Sequence, residues 1–194
     1  MSGAPPREPA AYRELELKAV VPDPEACRAR LRAAGAVPGF SGRMTDLRFD
    51  RAGELATRDE VLRVRTFRHS DRVETVLGWK GPTMRSPEGY KAREEIELPI
   101  SGAAADPAGL LAALGYQPVY AVEREVEIYL VDDATVRLET YPRMDVLVEV
   151  EGTPEGIERA IVASGIPRGE FTAETLADFV RRFEERTGRT AVLA

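Results

Sequence analysis

The stretch YRELELKAVV, residues 12–21, alternates between charged and apolar side chains. Successive side chains of a strand point to opposite faces, so Glu14, Glu16 and Lys18 would share one face and the two leucines between them the other. The stretch therefore predicts a β-strand with one charged and one apolar face.

The same alternation returns along the chain in runs bounded by turn-forming residues. Further strands are predicted at residues 44–50, 61–68, 73–80, 90–100, 119–130, 134–141 and 145–152. Helices are predicted where a capping residue precedes proline and a glycine follows, over residues 23–35, 106–115 and 153–165, with a last helix over residues 173–186. This pattern favours an α+β protein with a mainly antiparallel sheet, although alternation alone leaves open whether the sheet closes.

Length and composition predict one globular domain. The 194 residues, 43% hydrophobic and 31% charged, suit a single core. We place the domain at residues 12–190, after a flexible tail at residues 1–11 that is rich in Pro, Ala and Gly.

Charge and apolar content exclude other classes of function. The formal net charge of −6 argues against a general nucleic-acid binder, and no run approaches the roughly 20 apolar residues of a membrane span. The single cysteine, Cys27, and the absence of a secretory signal at the N-terminus favour a cytoplasmic protein. We expect Cys27 and Trp79 to be core residues.

The charged face of the predicted strands has two interpretations. A sheet surface in water routinely carries charges of both signs. However, like charges side by side on one face are unfavourable unless an opposite charge lies between them, and here Arg63 pairs with Arg65 and Glu149 with Glu151. Glu-x-Glu pairs suit a hard divalent cation and Arg-x-Arg pairs suit phosphate oxygens, so a metal-bound polyphosphate is the second interpretation.

Five motifs in order carry a resemblance to a known family. The ExExK run at residues 14–18, LRVR at 62–65, WKGP at 79–82, REEIE at 93–97 and EVEG at 149–152 are similar to those of the CYTH superfamily, also called triphosphate tunnel metalloenzymes. Arg124 lies where the family has a phosphate-binding arginine.

The resemblance implies a closed antiparallel β-barrel, a triphosphate tunnel of about eight strands with helices packed outside. It also implies a carboxylate set for Mg or Mn, with Glu16 and Lys18 as catalytic residues and Lys18 orienting the attacking water or pairing with Glu16. The expected metal ligands are Glu14, Glu16, Glu95, Glu139, Glu149 and Glu151. The expected triphosphate-binding residues are Lys18, Arg63, Arg65, Lys80, Arg93 and Arg124.

Four features depart from the family pattern or match none of it. Glu139 stands where aspartate is usual, and Arg48 where an aromatic residue is common. Strand alternation would place Arg137 on the charged face, but the residue matches no motif of the family. The last helix offers Arg181 and Arg182 in place of a clear lysine.

Three functions fit a small-molecule triphosphate as partner. A metal-dependent triphosphatase acting on inorganic or organic triphosphate is favoured narrowly. A class IV adenylyl cyclase, which converts ATP to cyclic AMP and pyrophosphate, would use the same wall, and the Pro142 segment and the EVEG ending look somewhat like that branch. A non-catalytic polyphosphate-binding module is the third, although anion capture alone would not need carboxylate pairs. Neither nucleic acid nor membrane is expected as a partner, and a homodimer is left open.

Overall fold

Antiparallel strands dominate the structure, a computed structural model that describes residues 12–102 and 106–194. The strands are β1 (Tyr12–Val20), β2 (Val37–Asp50), β3 (Val61–Arg68), β4 (Val73–Lys80), β5 (Met84–Arg85), β6 (Lys91–Ile100), β7 (Gln117–Val131), β8 (Ala134–Thr140) and β9 (Leu147–Glu151). The α-helices of the described residues are α1 (Pro24–Ala33), α2 (Glu54–Thr57), α3 (Pro107–Ala113), α4 (Pro154–Ser164) and α5 (Leu176–Thr187). The predicted tail at residues 1–11 lies outside the described residues.

Eight of these strands close into a barrel. Their order is β1-β9-β8-β7-β2-β3-β4-β6, every neighbouring pair is antiparallel, and β6 pairs back with β1. The short strand β5 adds to the outside edge of β6. The expected closed antiparallel barrel with helices outside is therefore confirmed.

Three helices begin where the sequence predicts. The side chains of Asp23, Asp106 and Thr153 accept backbone N–H bonds from the residues three positions later, at 3.0, 2.8 and 3.1 Å. Each is followed by proline, whose missing N–H costs nothing at the first helical position.

The last helix starts later than predicted. Residues 173–175 were expected to be helical, but α5 begins at Leu176 because Thr175 and Asp178 form a reciprocal capping box. Thr172 instead pairs with Lys18 through two backbone hydrogen bonds of 2.8 and 2.9 Å. This bridge ties the segment before α5 to β1.

Strand β2 is longer than predicted, starting at Val37 and not at Met44. Pro38, Gly39 and Gly42 interrupt its alternation, and its register with β7 shifts between Pro38 and Ser41. Strand β5 lies between the predicted strands at residues 73–80 and 90–100 and was not predicted, and neither was α2. Both elements are too short for periodicity to detect.

The main core lies between two helices and the outer face of the barrel. Cys27 and Leu31 of α1 and Ile157 and Ile161 of α4 pack against outward-facing apolar residues of β1, β7, β8 and β9. Cys27 is 2% exposed, as expected of a core residue. Within the described residues, no helix combines the length and apolar character needed to span a membrane.

The opposite side of the barrel is less covered than predicted. Trp79 is half-buried and not a core residue, and its indole N–H donates to Glu60 at 3.4 Å. Ile96 and Leu98 of β6 are 45% and 53% exposed. Helix α3 therefore covers only part of the apolar face on this side of the barrel.

Gly42 occupies a position where a larger residue should destabilise the protein. Its φ is +154°, and a Cβ added there would lie 2.3 Å from the carbonyl oxygen of Arg68 on β3. Gly42→Ala should therefore lower the free energy of unfolding by about 1–3 kcal/mol, measured by urea unfolding.

Gly39→Ala in the same strand is the matched control. Its Cβ would meet nothing closer than 3.4 Å, so we expect a change within about 1 kcal/mol. Equal losses in the two variants would contradict the strain at Gly42.

Candidate active site

The lumen of the barrel is lined by charged side chains. Its cavity has a volume of about 480 Å³. Nine residues predicted to form the site line it: Glu16, Lys18, Arg63, Arg65, Lys80, Arg93, Arg124, Glu139 and Glu149. The other three, Glu14, Glu95 and Glu151, adjoin them through ion pairs with Lys80 and Arg137. The twelve residues thus converge inside one barrel.

Asp46 is the centre of a cationic cluster in the lumen. Its carboxylate accepts two hydrogen bonds from Arg65, at 2.7 and 3.0 Å, and one from Arg124 at 3.1 Å. A guanidinium nitrogen of Arg63 lies 4.0 Å away. Burial alone raises the pKa of Asp46, but Arg65 and then Arg63 and Arg124 more than offset this and hold the pKa well below its ordinary value.

Two arginines of this cluster, and Arg137 near it, have N–H groups that donate to no described residue. Arg63 also donates to Glu97 at 2.8 Å, and Arg124 to Glu139 at 2.8 Å. Yet Arg63 Nε, Arg124 Nη1 and Arg137 Nε are buried with no partner among the described residues. An unsatisfied buried donor costs about 1–3 kcal/mol. An anion with several acceptor oxygens would satisfy these donors.

A carboxylate cluster lies on β1 and β9. Ligand oxygens of Glu14, Glu16 and Glu151 all lie within 4.8 Å of one another. Burial and then the charge of Glu151 raise the pKa of Glu14 to about 9. In Glu16, burial opposes ionisation, but Lys18 and Lys91 hold the pKa well below its ordinary value. A hard divalent cation fits this oxygen-only donor set.

The other predicted metal ligands form ion pairs with lysine and arginine side chains of the barrel. Glu149 pairs with both Lys18 and Arg137, and Glu95 pairs with Lys80. Glu139 accepts hydrogen bonds from Arg124 and, at 2.6 Å, from the hydroxyl of Tyr141. Burial opposes its ionisation, but Arg124, Arg137 and Lys18 lower the pKa of Glu139 to about 2.

Arg93 donates hydrogen bonds to backbone carbonyls beside the cavity. Its Nε donates to the carbonyl of Gly81 at 2.6 Å and its Nη2 to the carbonyl of Asp59 at 2.5 Å. The guanidinium therefore ties together two loops beside the cavity. Its Nη2 atom also lies 3.8 Å from the carboxylate of Asp59.

The cavity is also lined by Arg48, Val61, Tyr120 and Leu176 at the start of α5, and because Tyr120 is 41% exposed, these four residues are called the mouth. The guanidinium of Arg48 lies 5.1 Å from the ring centre of Tyr120. Arg48 makes no ion pair with the described residues, and burial lowers its pKa. Arg181 and Arg182 pair instead with carboxylates on the outside, Asp178 and Glu174.

Several residues of the site had no role assigned from sequence. Lys91 donates to Glu16 at 2.5 Å, and Asp46, Glu97, Tyr120 and Tyr141 take part as described above. Strand alternation could have predicted Lys91 and Glu97 as site residues, because each lies two positions from a predicted site residue on the same strand and therefore on the same face. The sequence indicated the role of Asp46 less clearly, because its partners lie on two other strands.

A closed antiparallel barrel with buried carboxylates and guanidinium groups defines the class of tunnel-type α+β domains. The family model of the CYTH domain matches residues 12–155, well over half of the chain. The chain belongs to the CYTH domain family. A comparison with curated protein sequences found no match.

Solved structures share the fold at low sequence identity. The PH1819 protein from Pyrococcus horikoshii OT3 is 23% identical, with a TM-score of 0.70 over 87% of this chain and 98% of that chain. A candidate adenylate cyclase from Vibrio parahaemolyticus is 14% identical, with a TM-score of 0.70 over 87% and 97%. The adenylyl cyclase candidate HpAC1 from Hippeastrum, described as having a dominant triphosphatase activity, is 21% identical, with a TM-score of 0.61 over 91% and 96%. These likenesses establish the fold alone.

Asp46 generates a prediction on stability and its pH dependence. Asp46→Asn leaves Arg65 and Arg124 buried with less compensation, so the free energy of unfolding at pH 7 should fall by about 3–5 kcal/mol. Because the folded-state pKa of Asp46 lies below its ordinary value of 3.8, its contribution is present above that pH and is lost as the pH falls through the folded-state pKa. Urea unfolding of both proteins at several pH values measures this, and their difference should shrink below about pH 4.

Asp145→Asn is the matched control. Asp145 pairs with Arg186 at 2.7 Å on the surface, where Arg186 is 60% exposed, so we expect a loss of at most about 1 kcal/mol. A similarly small loss for Asp46→Asn would contradict its central place in the cluster.

Proposed function

We propose that this protein is a metal-dependent triphosphatase that hydrolyses inorganic triphosphate or an organic triphosphate. One observation supports the proposal above all: buried guanidinium donors with no partner among residues 12–102 and 106–194 lie in the same lumen as a three-carboxylate cluster. The first set fits phosphate oxygens and the second fits a divalent cation. Membership of the CYTH family and the triphosphatase activity named for HpAC1 agree with this pairing.

The cationic wall would bind and orient the phosphates. Arg63, Arg65 and Arg124 are packed around Asp46, so their guanidinium planes are held in place before substrate arrives. Phosphoryl transfer depends mainly on positioning and on stabilising charge in the transition state. Donors that are already fixed in the lumen supply both.

Glu14, Glu16 and Glu151 would hold Mg or Mn. When bound, the ion supplies Lewis-acid stabilisation of phosphate oxygens. Lys18 lies beside this cluster, donating to Glu16 at 2.8 Å and to Glu149. Held between two carboxylates, its ammonium group would hold a water molecule by donating a hydrogen bond to the water oxygen. The same contacts also fit a purely structural pairing of Lys18 with Glu16.

The mouth supports a second candidate, a cyclase acting on a nucleoside triphosphate. The ring of Tyr120 is accessible, with the residue 41% exposed, and Val61 and Leu176 line the same region. An aromatic base could pack there while the phosphates enter the lumen. Hydrolysis is favoured over cyclisation because water needs no positioned ribose. It is favoured over simple binding because anion capture needs no carboxylate cluster.

A product assay tests the proposal. The protein is incubated separately with tripolyphosphate, ATP and thiamine triphosphate, each with Mg²⁺ or Mn²⁺, and phosphate, pyrophosphate and cyclic AMP are measured. We expect phosphate release that stops when EDTA removes the metal. Cyclic AMP with pyrophosphate and no phosphate would establish the cyclase instead, and binding without any product would establish a binding module.

Glu16→Gln tests the carboxylate cluster. The change removes one charge and keeps the shape, so kcat should fall roughly 100-fold or more, as for other groups that stabilise transition-state charge. Mg²⁺ with tripolyphosphate should also raise the Tm of the wild type clearly and that of the variant less.

Glu125→Gln provides the control, because this carboxylate points outward on β7 and is 59% exposed. It should keep wild-type kcat and the full Tm shift. Unchanged turnover in Glu16→Gln would remove Glu16 from the catalytic machinery.

A further inference from the structure

Arg137 is a buried cation inside the carboxylate set. It lies on the lumenal face of β8, directly opposite Glu149 of β9 in the strand register. Its side chain is 11% exposed. The Nη1 atom donates to Glu149 and, at 3.1 Å, to Glu151, and Nη2 donates to Glu151 at 3.4 Å. One guanidinium therefore bridges the Glu-x-Glu pair of β9.

This bridge leaves Glu149 with little capacity for a metal ion. Its Oε1 accepts from Arg137 and its Oε2 from Lys18. Each ligand oxygen of Glu149 thus pairs with a different cation of the protein, whereas the two oxygens of Glu151 accept, among the described residues, from Arg137 alone, through longer contacts of 3.1 and 3.4 Å. Glu149 is accordingly not part of the cluster whose oxygens lie within 4.8 Å, which comprises Glu14, Glu16 and Glu151.

A second divalent cation beside Glu149 would meet a fixed positive charge. The guanidinium cannot lose its proton in a protein, and repulsion between buried like charges is weakly screened. Displacing the side chain would leave the guanidinium in a lumen that already holds Lys18 and Arg65. A second metal site on this side of the cluster is therefore unfavourable.

We infer that this tunnel holds a single divalent cation, and that Arg137 takes the place a second one would need. Arg137 then acts as a built-in counter-ion for Glu149 and Glu151, and its buried, unpartnered Nε remains available to a phosphate oxygen. The inference rests on the proposed metal-dependent function, but the two ideas predict different metal counts.

Counting bound manganese tests the inference. The full chain is dialysed to equilibrium against Mn²⁺, first alone and then with the non-hydrolysable analogue imidotriphosphate, and bound ion is obtained from the electron paramagnetic resonance signal of the free ion. We expect one Mn²⁺ per chain in both conditions. Two per chain in either condition would overturn the inference and leave the proposed function standing, whereas none in either would overturn both.

Arg137→Gln should change the count from one to two. Removing the guanidinium frees Glu149 Oε1 and removes the fixed positive charge that a second ion beside Glu149 would meet. A folded variant that still binds one Mn²⁺ would overturn the role of Arg137. Circular dichroism establishes whether the variant folds, and if it does not, the wild-type count and Arg137→Lys, which keeps a charge and should bind one Mn²⁺, still decide.

Arg48→Gln is the matched control. It removes the same charge from the same cavity, but from a guanidinium that has no carboxylate partner in the described part of the chain. Its Mn²⁺ count should stay at one. A gain of a second ion here as well would mean that total lumenal charge, and not the contacts of Arg137, sets the number of metal ions.

Discussion

The pairing of β1 with β6 is the constraint on which the rest of the structure depends. It turns an eight-strand sheet into a barrel and brings Glu14 opposite Arg93 and Glu16 opposite Lys91. Without it, β1 would be an edge strand and its charged face would be open to water. Closure removes that face from solvent, so that every charge on it needs a partner, a ligand or a shifted pKa.

In the lumen, most of these charges form ion pairs. Ion pairs are not the arrangement that would give the barrel the greatest stability. Apolar residues of similar volume would often be as stable as buried ion pairs, or more so. The Asp46 cluster is thus poorly explained by stability alone. Its arginines, moreover, are not fully satisfied, because Arg63 Nε and Arg124 Nη1 have no hydrogen-bond partner in the part of the chain that the structure describes. A lumen that retains both costly charges and spare donors is better explained as a preorganised ligand site.

The strands and the faces of their side chains were predictable, because alternation is local. The bounds of β3 and β4 agree with the predicted ranges, and the outward placement of Leu15 and Leu17 follows from phase. Closure came from the family resemblance, since no local pattern distinguishes a barrel from an open sheet. The partners of the charges were not predictable either. That Arg137 lies against Glu149 depends on the register of β8 with β9, and that Asp46 holds both Arg65 and Arg124 depends on two strand pairings at once.

Some cations of the cavity form ion pairs and others do not, and this difference suggests the order in which a polyphosphate would contact them. Of the described cations that line the cavity, Arg48 is the one without an ion pair, so its charge is available to an approaching anion. Deeper in the lumen, Arg65 and Arg124 are already committed to Asp46. Phosphate oxygens need not displace these pairs, because the spare N–H groups of Arg63 and Arg124 lie buried in the same wall. Binding would then add hydrogen bonds to a network that is already formed, so little of the binding energy would be lost to rearranging the barrel.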